Sequence, residues 1–456
     1  MKQYLFFLVF VFNANLSISS SQLTESVNND NHIIIISIDG FPSDALWDEQ
    51  IPLTTIRSLA LNGVWSTKLV ASTPTVTWPN HTTIATGVHP EKHGVLTNGR
   101  FIRRDGIITR ESNLNRNELT SQTAIYDIAY NAGLITAEVN WPVTRNAETL
   151  HFSLPDAPNA ISYSTPQLID ELVDAGILSE GTDEAFRVGG ALTRDEIWTS
   201  TAEHIIINHQ PNILLFHLLN VDGTHHQFGA GSRPGFTALT LADTHVKRIL
   251  EALESAGIKD RSTIFIVSDH GFMNVTRQVH PNVILRKFGL IEVDDEENIT
   301  NARVQAISNG GTAMVFALNP ETKKADLARA YTALTGVEGI SHILTPDDYS
   351  MYGLPQPEEN ENMGDLLLSA DNHYSFGNLA FGDSHIIVLD GVRGTHGYLS
   401  EKPEMKTIFV ASGNGIQSGL QLEKVDNRSI APTAAWLLGF KMEDADGEIL
   451  EEIIYK

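Results

Sequence analysis

The chain has 456 residues, 42% hydrophobic and 19% charged, with a formal net charge of −25 and no cysteine. Such a length and composition describe one large or a few ordinary globular domains with ample core. The acidic balance excludes nucleic-acid duplex binding through a basic face, and the missing cysteines exclude disulfides and thiolate metal sites.

Residues 1–20 read as a secretory signal peptide: Lys2 supplies the positive end, Tyr4 to Phe12 the apolar region and Ser17 to Ser20 the small residues of a cleavage site. The alternative is an uncleaved N-terminal anchor, although the run is short for a bilayer. Residues 21–30 form a polar leader. No later stretch is apolar enough for a stable membrane span, so the expected location is periplasmic or secreted.

Ile33 to Ile38 is an aliphatic run interrupted only by Ser37, the pattern of a strand buried on both faces of a parallel sheet, and it stops at Asp39-Gly40. Leu53 to Asn62 has helical spacing and ends at Gly63. Thr77-Trp78-Pro79 then opens a short helix that Gly87 closes, because threonine suits an N-cap, proline a first turn and glycine a stop. A hydroxyl in that place is either a plain cap or a nucleophile aimed at an anion held by the helix N-terminus.

Further on, Ser121 to Ala132 reads as helix, Ile135 to Val139 as strand, and Gln167 to Ala175 and Thr193 to His209 as amphipathic helices. Ile213 to Leu219 is a second apolar strand, followed by Asp222-Gly223-Thr224-His225-His226. Leu239 to Ser255 is a long helix. Thr263 to Val267 is a third buried strand that runs into Ser268-Asp269-His270-Gly271. From about 290 to 390 the pattern loosens into acidic clusters and short mixed strands, which suggests an inserted lobe. Arg393-Gly394-Thr395-His396-Gly397, a strand from Thr407 to Ala411 and a helix from Ile430 to Leu438 complete the chain. Helices alternating with aliphatic strands indicate an α/β fold with helices on both faces of the sheet, whose sites form at the strands' carboxyl ends.

Each acid at such an end has a bland reading. Asp39-Gly40 makes a turn, Asp222 and His226 suit a solvated i to i+4 pair, and His396 suits a loop histidine. Brought to one edge without cations, however, these carboxylates repel one another and resist desolvation. Divalent metals relieve that cost, and a mixed carboxylate–imidazole set suits zinc.

The segments D-G-F from Asp39, T-W-P-N-H-T-T-I-A-T-G-V-H-P-E-K-H-G-V from Thr77, D-G-T-H-H-Q-F-G from Asp222, S-D-H-G from Ser268 and R-G-T-H-G-Y from Arg393 together resemble the nucleotide pyrophosphatase/phosphodiesterase group of the alkaline phosphatase superfamily. The resemblance implies an alkaline-phosphatase-like catalytic domain over 31–445, with a mostly parallel central sheet, the lobe inserted at about 290–390 and a tail at 446–456. It implies two zinc ions per chain, one held by Asp39, Thr77, Asp269 and His270, the other by Asp222, His226 and His396. His225 competes with His226 for that place. It implies Thr77 as the nucleophile that becomes phosphothreonine, and Asn98 as a donor to a phosphoryl oxygen. Trp78 either stacks on a substrate or packs in the core, and His81, His89, His93 and His280 read as structural.

Ser72-Thr73-Pro74 begins the pattern of a sulfatase, but Val76 replaces its arginine. A phosphomonoesterase with a threonine nucleophile usually adds a Lys-x-Arg pair, for which Arg145 is a partial substitute at most. The expected substrate is therefore a small phosphodiester or pyrophosphate, nucleotide-type or phospholipid-type. Phosphomonoesterase, phosphonate hydrolase and catalytically silent metal-binding protein are the alternatives.

Overall fold

Alternate residues of the first aliphatic run serve two separate cores. Ile34, Ile36 and Ile38 pack on one face of the sheet, and Ile33 and Ile35 on the other. This two-sided burial explains why the run carries no polar alternation. The computed structural model describes residues 28–156, 160–179 and 189–455. The proposed signal peptide and most of the polar leader lie outside these residues. Among the described residues, no helix is long and apolar enough to cross a membrane.

The central sheet has nine strands: β1 (His32–Ile38), β2 (Val64–Val70), β3 (Thr136–Val139), β4 (Phe152–Leu154), β5 (Ile213–Leu218), β6 (Ser262–Val267), β7 (Thr407–Gly413), β8 (Leu420–Gln421) and β9 (Val425–Asp426). Their order is β8-β2-β7-β6-β1-β5-β3-β4, with β9 also on β2. Every pairing is parallel except those of β7, which runs against both β6 and β2. The fold is thus α/β with a mostly parallel sheet, as the aliphatic runs predict.

One face is covered by α1 (Thr54–Asn62), Pro166–Asp174, Ala191–His209 and Arg233–Ser255. The other is covered by α2 (Thr77–Thr86), Ile125–Asn131 and Ile430–Leu437. Several boundaries differ from the sequence reading for local reasons. The helix expected from Leu239 begins at Arg233, where Ser232 caps it by accepting from the Gly235 N–H at 3.2 Å. The one expected from Ser121 starts at Ile125, where Asp127 reaches back to the Ala124 N–H at 2.7 Å. Strand β2 was not anticipated, because Val64–Val70 mixes lysine and serine into its pattern.

Residues 290–390 carry a four-stranded antiparallel sheet with its own apolar core. Its strands are Val304–Ser308, Thr312–Ala317, Leu366–Ala370 and Ile340–Leu344 in spatial order. A hairpin, Arg100–Arg104 with Ile107–Glu111, covers the far side through Phe101 and Ile108. The lobe is joined to the main sheet by a ladder that starts before and ends after the expected limits, Met273–Val279 against Ile386–Thr395. Residues 446–455 are tied down: the Asp446 and Gly447 N–H groups donate to the Gly87 carbonyl, and Ile453 is buried.

Candidate active site

The site lies at the carboxyl edge of β1, β5 and β6. Gly40, directly after β1, adopts φ +67°, and a Cβ there would fall 2.3 Å from the Phe272 ring, so glycine alone fits. The turn it makes places the Gly40 N–H 3.2 Å from Asp269 Oδ1 and brings Asp39 beside the loop after β6. His270 Nε2 sits 3.3 Å from Asp39 Oδ1 and 3.1 Å from Asp269 Oδ2. Thr77 Oγ1 lies 3.5 Å from the same nitrogen.

Thr77 is the first residue of α2 rather than its cap. Val76 holds the capping position with an extended backbone and no side-chain hydrogen bond, so the threonine hydroxyl is not spent on the helix. The segment before it is stitched to the loop of His396. The Thr75 carbonyl accepts from Gly397 N at 2.9 Å and sits 2.9 Å from His396 Nδ1, which leaves His396 Nε2 facing the site. A Cβ on Gly397, at φ +81°, would lie 1.7 Å from the Asn309 carbonyl.

Asp222 and His226 fall on a helix, Asn220–Phe228, not on a loop, so their i to i+4 spacing puts them on one face. Asp222 Oδ1 is 3.4 Å from His226 Nε2 and 3.7 Å from His396 Nε2. His226 Nδ1 lies 3.0 Å from the Gly394 carbonyl, which orients the ring. His225 points elsewhere: its Nδ1 is 3.2 Å from the Gly40 carbonyl and its other nitrogen faces Gly235. Of the two neighbouring histidines, the structure thus turns His226 toward Asp222.

Two triads place one ligand atom each within 4.8 Å of one another, Asp39–Asp269–His270 and Asp222–His270–His396. The His270 and His396 rings stack 3.6 Å apart. Asp39 Oδ1, Asp222 Oδ1 and Asp269 Oδ2 are buried and accept no hydrogen bond. Burial, reinforced by Asp222, drives the Asp39 carboxyl well above its ordinary range, and burial with Asp39 does the same to Asp269. Burial also pushes Asp222 up, but the imidazoles of His226, His396 and His270 pull it lower on balance. Burial holds His270 well below its usual value and takes His396 to about 4, whereas His226, despite burial, is raised to about 9 by Asp222. Unpartnered carboxylate oxygens facing imidazole nitrogens are a donor set that fits divalent cations.

Sequence reasoning missed three residues here. His217, on β5, is 3.0 Å from Asp39 Oδ2. His81, read as structural, has Nδ1 2.9 Å from the Thr77 carbonyl and 3.7 Å from Asp269 Oδ2. Phe272 sets its ring edge-on to His225, His226, His270 and His396. Two of them carried a signal, His81 by its place in the motif that starts at Thr77 and His217 as a lone histidine inside an aliphatic strand.

A family model described as Type I phosphodiesterase / nucleotide pyrophosphatase matches residues 33–399. The chain belongs to this family. It is 23% identical over 444 residues to ectonucleotide pyrophosphatase/phosphodiesterase 2 of Saccharomyces cerevisiae, spanning 92% of this chain and 84% of that protein. It is 21% identical to family member 7 of Mus musculus, spanning 92% and 86%. Venom phosphodiesterase CdcPDE of Crotalus durissus collilineatus is 23% identical over 91% of this chain and 45% of its own length. Murine ectonucleotide pyrophosphatase / phosphodiesterase 5 superposes with a TM-score of 0.69 at 18% identity, covering 93% of this chain and 100% of that one. An inactive variant of the same mouse protein, in complex with AMP, overlaps equally. As a member of the type I phosphodiesterase / nucleotide pyrophosphatase family, the chain is an enzyme of the phosphoric diester hydrolase class.

Asn98 stands beside the start of α2: its Oδ1 accepts from the Trp78 N–H at 2.8 Å. Trp78 is half-buried, and its indole N–H donates to Asp156 at 3.1 Å. Arg145 is buried, donates to Asn113 at 2.6 Å and lies 4.5 Å over the Tyr163 ring.

Proposed function

We propose that this enzyme hydrolyses phosphodiester or pyrophosphate bonds at a two-zinc site, through a phosphothreonine at Thr77. One zinc is assigned to Asp39, Thr77, Asp269 and His270, the other to Asp222, His226 and His396. Two bound zinc ions would lower the pKa of the Thr77 hydroxyl and neutralise charge on the phosphoryl group and the departing oxygen. The observation that carries this reading is the convergence of the unpartnered oxygens of Asp39 and Asp269 on His270, with Thr77 Oγ1 3.5 Å from that imidazole.

The chain's own residues do the rest. Thr77 Oγ1, unclaimed by capping, bonds to phosphorus as the bond to the leaving alkoxide or phosphate breaks and the hydroxyl proton passes to solvent. Water then cleaves the phosphothreonine and restores the hydroxyl, releasing the phosphoryl fragment as a monoester. Asn98, steadied through its carbonyl by the Trp78 N–H, donates from its amide to an equatorial oxygen. Thr75 and Gly394 hold His396 and His226 in the tautomers that present Nε2.

A diester suits this arrangement better than a monoester, because Arg145 is committed to Asn113 and Tyr163 and not offered to an extra phosphate charge. Trp78 supplies an apolar flank for a nucleobase or another leaving group. An exported location agrees with the basic, apolar and small residues of segment 1–20.

A panel of chromogenic diester, monoester, sulfate ester and phosphonate substrates tests the assignment, with the diester turning over fastest by a wide margin. Thr77→Ala should reduce turnover roughly a thousandfold or more while leaving the thermal melt intact. Undiminished activity in that variant would require another nucleophile.

A further inference from the structure

At the opposite edge of the main sheet, three side chains that the proposed reaction does not use converge. Helix Ala191–His209 runs antiparallel to the strand that follows it. Its first turns hold Asp195, which accepts from the Leu219 and Asn220 N–H groups at 2.8 and 3.0 Å, at the catalytic edge. His209 is its last residue and precedes the start of β5, so it lies at the far edge.

There, Glu171 Oε2, on helix Pro166–Asp174, is 3.0 Å from His204 Nε2 and 2.6 Å from His209 Nε2. One oxygen thus faces two imidazole nitrogens at once, and the three atoms lie within 4.8 Å of one another. The carboxylate is turned toward them because Gln167 Nε2 donates to its other oxygen at 2.9 Å. The His209 ring is fixed by stacking on Phe152, with centroids 3.9 Å apart. All three residues are partly open to solvent, which leaves room for a water ligand. The carbonyls at the end of the helix favour positive charge at this place.

We propose that Glu171, His204 and His209 form a further divalent-metal site that clamps helix Pro166–Asp174 to the end of helix Ala191–His209. Two imidazole nitrogens with a single carboxylate favour zinc or a similar borderline cation over calcium or magnesium. The site is structural. It fastens two helices that cover the same face of the sheet and takes no part in phosphoryl transfer.

The test measures bound metal and does not depend on turnover. The purified full-length chain, dialysed against excess zinc chloride, is compared by elemental analysis with His204→Ala/His209→Ala and with Glu171→Gln, which keeps the shape of the side chain. Both variants should hold about one zinc fewer than the wild type, with diester turnover unchanged. The rise in melting temperature on zinc addition should also be smaller in both. Equal zinc content in all three proteins would overturn the proposal and leave a hydrogen-bonded Glu–His cluster only. Failure of the catalytic reading would instead appear as wild-type protein without diesterase turnover, whatever its zinc content.

Discussion

His217 interrupts Ile213–Leu218, an otherwise apolar and wholly buried strand, and its cost is offset by bonds to Asp39 on one nitrogen and to Asn140 on the other. A buried imidazole so placed holds a ligand carboxylate in one orientation, and losing such a support typically costs 10- to 100-fold in metal affinity. His217→Ala should therefore weaken metal binding by about that factor in a chelator-competition titration, with turnover largely restored at saturating metal. Unchanged affinity would reduce His217 to a packing residue. The neighbouring pair 225 and 226 makes a sharper contrast: His226→Ala should lower the bound metal and His225→Ala should not, as read by elemental analysis. The ambiguity between these two was unavoidable in the sequence, because both follow Asp222 within one helical turn and only the ring directions separate them.

Among the elements, α1 has no N-cap of its own, since Leu53 stands there with no side chain able to accept. The cap comes from another helix. Asp243 accepts from Ile56 N at 2.7 Å, Thr55 N at 3.0 Å and Thr54 Oγ1 at 3.4 Å. Asp243→Ala leaves these donors unsatisfied and should lower stability by about 1–3 kcal/mol in urea denaturation, with turnover unaffected. A second buried acid acts through pH. Burial raises Glu138, at the end of β3, from 4.5 to about 8, against weaker pulls from Ser153 and the Trp141 N–H. The folded state therefore keeps this proton longer than the unfolded chain does. Its stabilising contribution is complete below the unfolded value and fades as pH rises through the folded one. Glu138→Gln should melt above wild type at about pH 8.5, with the advantage vanishing toward about pH 5. An advantage independent of pH would point to packing instead.

Element by element, the aliphatic strands were legible in the sequence because burial on both faces leaves one composition, as in Ile33 to Ile38. Strand β2 was not, since Ser66 and Lys68 alternate with its apolar residues and the segment reads equally as loop. The helical setting of Asp222 and His226 showed only in their i to i+4 spacing, since Gly223 between them is a poor helix former that the fold nevertheless accommodates. Asp39, Thr77, Asp269 and His270 were legible by their places just past strands or at a helix start. The orienting carbonyls of Thr75 and Gly394 were not, because backbone atoms leave no mark on composition.

For the whole molecule, the cluster of Asp39, Asp222 and Asp269 is a local concentration of acid within a chain whose net charge is already −25. Cations bound to the folded state alone stabilise it by mass action, by about 2.7 kcal/mol for each at a hundredfold excess over its dissociation constant. Chelation should accordingly lower the melting temperature by several degrees, and re-addition of zinc should restore both the melt and diester turnover. An unaltered melt after verified metal removal would show that the empty cluster is stable by itself.

The ladder of Met273–Val279 against Ile386–Thr395 opens three residues after His270 and closes directly before His396. The lobe therefore departs from one ring of a stacked imidazole pair and returns at the other. A one-residue slip in these two strands would shear the pair apart. The two strands that carry residues 290–390 out and back are therefore also part of the frame of the candidate site.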